Sequence, residues 1–212
     1  MTVIRRLAMP CALALLAGCS GTFTSKAPVS RAYILRPAAV VPAAAGPAFA
    51  GSLRVQRPNP GPGFETDRIL LLRADRQLDF YATGHWAGPI PDMVGALALE
   101  TLRRTTLFDA VYGEGTPMRA DYFLQIQGRD FTAEYTDGRA APVAHVVLDC
   151  TLGRRLDRTV VTTFTAEGAA PAAENRMAEV VIAYESALQQ ALTSVAGTLG
   201  AAATGATAAA AP

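Results

Sequence analysis

The chain has 212 residues and a mass of 22.2 kDa, with 50% hydrophobic and 17% charged residues, 14 Pro and 18 Gly, which is enough for one domain with terminal trimmings. Nineteen basic against 18 acidic residues leave a net charge of +1, so there is no broad basic field to hold nucleic acid or anionic lipid by counterion release. Two histidines, His85 and His145, and three cysteines are a poor supply for a multi-ligand metal centre, and no cofactor is expected.

At the amino terminus Arg5 and Arg6 precede an apolar run from Leu7 to Leu16, interrupted by Pro10 and closed by the small residues Ala17 and Gly18. This reads as a secretion signal over residues 1–18. The run is about half of the roughly 20 apolar residues that a membrane-crossing helix needs. The order Leu16-Ala17-Gly18-Cys19 resembles the bacterial lipobox. That resemblance implies diacylglycerol on the Cys19 thiol, cleavage after Gly18 and acylation of the new amine, giving a membrane anchor made only of acyl chains, each buried methylene contributing about 0.8 kcal/mol. Ser20, where an Asp would signal inner-membrane retention, favours the outer membrane over the inner. Losing Arg5 and Arg6 leaves 17 basic against 18 acidic groups, a net of −1. Cys11 leaves with the signal and Cys19 becomes a thioether, so Cys150 has no intramolecular disulfide partner.

Residues 19–30 read as a lipidated flexible tether, residues 31–198 as the folded domain, and residues 199–212, almost entirely Ala, Gly and Thr, as a disordered tail. The domain opens on a strand at Arg31 to Arg36, with Tyr33 and Leu35 on one face. An Ala- and Pro-rich crossing follows to Gly51, between two strands expected to pair. Ser52 to Arg57 reads as a strand stopped by Pro58 to Gly63, a loop scored as a turn because it lacks the Lys-Ser/Thr of a phosphate cradle and its prolines remove amide donors. Residues 68–73 and 77–82 form a hairpin. Pro91-Asp92 opens a helix to Leu107 with Met93, Val94, Leu97, Ala98 and Leu102 as its apolar stripe, and Arg103 and Arg104 suited to its carboxyl-terminal pole. Residues 120–135, 143–156 and 158–166 make three hairpin-linked strands, with Val146, Leu148, Cys150 and Leu152 on one buried face. A second helix over residues 172–195 carries Met177, Val181, Tyr184, Leu188, Leu192 and Val195 at steps of three or four, a core-facing stripe. The sum is a single α+β domain, a mostly antiparallel sheet with two main helices packed on it.

Four motifs stand in a fixed order within this plan: Tyr33-x-Leu35, Leu53-x-Val55 with Pro58, Asp67-Arg68-Ile69, and Tyr81-x4-Trp86-Ala87-x-Pro89-Ile90. After a lipobox, from Tyr33 to about Val195, this order resembles the ABC-type transport auxiliary lipoproteins, the group of paraquat-inducible protein C-like proteins. The resemblance implies a lipid-anchored periplasmic subunit, working with an ABC permease and ATPase and with a mammalian-cell-entry-domain carrier that moves lipid between membranes. The chain departs from the pattern at Asn59 to Phe64, where bulkier residues normally follow the proline. Tyr33, Leu35 and Trp86 are the candidate partner-contact or structural residues, with Trp86 read first as a buried staple between hairpin and helix. The short first strand, as a sheet edge, could accept a partner strand or a second copy of the chain. Two other classes compete with this reading. A hydrolase lacks a recognisable nucleophile, base and acid set, so no enzyme is expected. An outer-membrane assembly accessory would share the same anchor and domain size.

Overall fold

The computed structural model describes residues 30–38 and 48–209. Its elements in chain order are β1 (Arg31–Tyr33), β2 (Phe49–Val55), β3 (Asn59–Pro60), β4 (Arg68–Leu72), β5 (Leu78–Trp86), α1 (Ile90–Arg104), β6 (Phe108–Tyr112), β7 (Tyr122–Glu134), β8 (Val143–Arg154), β9 (Val160–Pro171) and α2 (Met177–Ala209). The α+β class is as expected, with a nine-stranded sheet. Its longest ladders are antiparallel, β7 with β8 and β8 with β9. Five shorter pairings are parallel, so the sheet is mixed.

The long strand β7 organises the sheet. One of its edges is taken along its length by β8; the other is shared end to end by β2 at Tyr122–Leu124, β3 at Gln127–Gly128 and β4 at Ala133–Glu134. Outside these lie β6 on β2, and β5 then β1 beyond β4. Pro60 can sit in β3 because a two-residue strand asks little of the backbone donors that proline lacks. The Pro-Gly run is therefore a strand followed by a turn rather than a turn alone. Likewise β1 pairs with β5, and β2 with β6 and β7, so the two strands flanking the Ala- and Pro-rich crossing do not pair with each other.

Helix α1 ends three residues earlier than expected. Thr105 donates its backbone N–H and its hydroxyl to the Leu102 carbonyl, at 3.2 and 2.7 Å, and Thr106 takes a left-handed φ of 53°. The chain then turns into β6, a strand the periodicity did not disclose. Phe108 stacks on Phe49 at 4.7 Å there. The tail expectation is also corrected: α2 continues to Ala209, with Leu199 and Ala203 buried beneath it. Ala is the strongest helix former, and residues 195, 199 and 203 extend the same buried stripe at steps of four. Residues 210–212 lie outside the described residues.

The apolar face of α2 lies on β8 and β9, and α1 on β2, β3 and β6. Tyr184, Leu188, Leu192 and Val195 are buried as the stripe required, and Met177 packs at its edge. Gly168 of β9 permits the close approach: a Cβ there would stand 1.9 Å from the Ala187 carbonyl oxygen. Cys150 is fully buried on the strand face with Val146, Leu148 and Leu152.

Candidate functional site

Cys19 and Gly18 lie outside the described residues. The structure brings the other three candidates together where the chain joins the sheet. In the β1–β5 ladder Tyr33 is the register partner of Trp86, and the Ala87 N–H donates to the Tyr33 carbonyl at 2.8 Å. The Tyr33 ring lies over Gly84, where a Cβ would come within 2.9 Å of it. Two residues on, Leu35 is buried, and the Arg36 N–H donates to Glu185 Oε1 of α2 at 2.7 Å. Upstream, Ser30 Oγ and His85 Nδ1 share a hydrogen bond of 2.9 Å. The first residues of the domain are thus held by β5 on one side and α2 below. The outer edge of β1 carries no strand among the described residues, and Ile34 beside it is 58% exposed.

Trp86 has no surface left for a partner. Its indole meets Tyr184 edge-on at 5.2 Å and Phe131 at 6.1 Å, between β5, β7 and α2. Among the described residues its Nε1 is the one buried side-chain polar atom without a hydrogen bond, a cost of about 1–3 kcal/mol. The edge-on ring contacts, each contributing about 0.5–1.5 kcal/mol beyond burial, offset that cost. The neighbouring Tyr184 hydroxyl is satisfied, donating to the Leu70 carbonyl at 2.7 Å.

The titratable groups do not converge. His85 shares a hydrogen bond with Ser30, while His145 lies half-buried, 3.4 Å from Glu134. Asp130, partly buried nearby, has its carboxyl held above the usual range by desolvation and accepts from Thr132 Oγ1 at 2.8 Å. Burial pushes the Cys150 thiol up to about 12, the reverse of what a nucleophile needs. No group of three or more His, Cys, Asp or Glu that could hold a metal occurs among the described residues. The Pro58 to Phe64 loop closes on α1 around an apolar cavity of about 20 Å³ lined by Phe64, Ile90, Val94, Phe131 and Leu148, with no phosphate cradle. No helix of the described residues is long and apolar enough to cross a membrane.

The family model described as "ABC-type transport auxiliary lipoprotein component" matches residues 33–196. A crystal structure of a protein from Xanthomonas campestris is similar over 84% of this chain and 99% of its own, at 26% identity and a TM-score of 0.74. A second solved structure, of an uncharacterised protein, shares the fold over 82% of this chain and 97% of its own, at 12% identity and a TM-score of 0.58. No curated protein matches the chain significantly.

Proposed function

Because the chain belongs to the ABC-type transport auxiliary lipoproteins, we propose that it is the periplasmic accessory subunit of an intermembrane lipid transport system, anchored by acyl chains on Cys19. The family match from residue 33 onward, directly behind the lipobox Leu16-Ala17-Gly18-Cys19, is the observation that carries this reading. The domain docks a mammalian-cell-entry-domain carrier and holds that conduit, with its permease and ATPase, at the membrane that receives the anchor. Ser20 after the cysteine favours the outer membrane. The role asks for no catalysis: the subunit contributes position, and the hydrolysis of ATP belongs to its partners. The outer edge of β1, which carries no strand among the described residues, suits docking because it lies close to where the tether joins the domain.

Intact mass of membrane-extracted protein is expected to show loss of residues 1–18 and added acyl mass. The Cys19→Ala variant should leave the membrane fraction when no partner is present. The non-acylated mature chain, used as bait in a periplasmic extract, should recover the lipid carrier. Repeated recovery of β-barrel assembly components without a lipid-carrier subunit would overturn the transport role in favour of outer-membrane assembly.

A further inference from the structure

Seven large hydrophobic side chains are strongly exposed among the described residues, and three of them stand at one end of the sheet. Leu156, in the β8–β9 hairpin, is 93% exposed, Val160 64% and Met118 55%. Beside Leu156 an open cleft of about 540 Å³ is walled by Arg119, Asp121, Arg154 and Arg155. Arg154 pairs with Asp157 at 3.3 Å, whereas Arg119, Arg155 and Arg158 form no ion pair among the described residues.

The acids of this pole stand at the surface and are engaged by nearby donors. Asp121 accepts from the Ser52 N–H and hydroxyl at 2.8 and 2.9 Å, Asp157 from the Thr159 N–H and hydroxyl at 3.2 and 2.7 Å, and Asp109 from the Gly51 N–H at 2.7 Å. Local structure holds this arrangement. Arg158 closes the hairpin with a left-handed φ of 57°, the Arg155 N–H donates to the Asp121 carbonyl at 2.8 Å, and Arg54 donates to the carbonyls of Gly113, Glu114, Thr116 and Met118, pinning the loop that presents Met118.

We propose that this pole seats on an anionic phospholipid surface, with Leu156, Met118 and Val160 entering the headgroup layer and Arg119, Arg155 and Arg158 meeting phosphates. The near-zero net charge excludes a broad basic field, so the contact rests on the three arginines without an ion pair beside apolar tips, a combination that favours interfacial binding. An acidic protein would satisfy the arginines yet would need a pocket shaped for Leu156; a headgroup layer receives a projecting side chain without one. Arginine stems add apolar length while their heads stay in water. The chain enters β1 from the opposite end of the sheet, so this contact is separate from the Cys19 anchor.

The test uses the mature chain carrying Cys19→Ser, which cannot be acylated and retains every buried residue described, from Leu35 to Ala203. In flotation it should bind phosphatidylglycerol vesicles, more weakly as salt rises, and ignore phosphatidylcholine vesicles. Leu156→Ser, and Arg119→Ser combined with Arg155→Ser, should each weaken that binding by about tenfold while the melting temperature stays unchanged. Failure to float with phosphatidylglycerol, or flotation indifferent to these variants, overturns the proposal. Loss of a captured acidic protein in the same variants, without vesicle binding, also overturns it and makes the pole a protein contact. Lipidation and carrier capture by the unsubstituted chain are read independently of these outcomes.

Discussion

Cys150 shows how one side chain is decided by its neighbours. The alternation Val146, Leu148, Cys150, Leu152 in the sequence already places it on the apolar face, and in the fold it is fully buried with its thiol pushed up to about 12. In the folded domain, labelling of Cys150 by a thiol reagent near pH 8 is expected to be slow and to become fast on denaturation; rapid labelling of the native chain would place the residue at the surface. Trp86 was less legible. Its position before a helix was visible, but its enclosure by Phe131 and Tyr184 requires side chains from β7 and α2, far away in the chain. Leu156 reads locally as a turn residue among arginines; only the fold sets Arg119 beside it.

Among the elements, α2 has the strongest local signature and the largest correction. Its stripe from Val181 to Val195 follows the helical period, while the segment after Gly197 looks like a compositional tail because Ala and Gly carry little hydrophobic contrast. Buried Leu199 and Ala203 show that the small residues continue the packed face. Leu188→Ala is expected to cost about 2–5 kcal/mol in denaturant unfolding, with Leu199→Ala falling in the same range. A frayed tail would make the second substitution neutral, and a stripe that served only as a partner interface would make the first one neutral. The element missed altogether, β6, is short and is joined to the preceding helix by Thr105-Thr106-Leu107, with no Pro or Gly to mark the break, so its start depends on the Thr105 cap and on the pairing with β2.

Across the whole molecule, one core joins Leu35 of the first segment to Ala203 of the last helix. The sheet cannot be divided without breaking it, because β7 receives β2, β3 and β4 on one edge and β8 on the other. Heating the non-acylated mature chain should therefore give coincident transitions in far- and near-ultraviolet circular dichroism. Separate transitions for helix and aromatic signals would show that α2 unfolds independently of the sheet.

What the sequence determined by itself was local: the two antiparallel hairpin connections of β7, β8 and β9, and the core face of α2. Each is carried by residues within a few positions of one another, where composition, turn chemistry and period act directly. The tertiary structure alone decided the parallel seating of β2, β3 and β4 along β7, the separation of β1 from β2, the enclosure of Trp86 and the meeting of Arg119 with the Leu156 hairpin. Parallel pairing joins segments remote in the chain through backbone hydrogen bonds, which leave no period in the side chains to announce which strand each one meets.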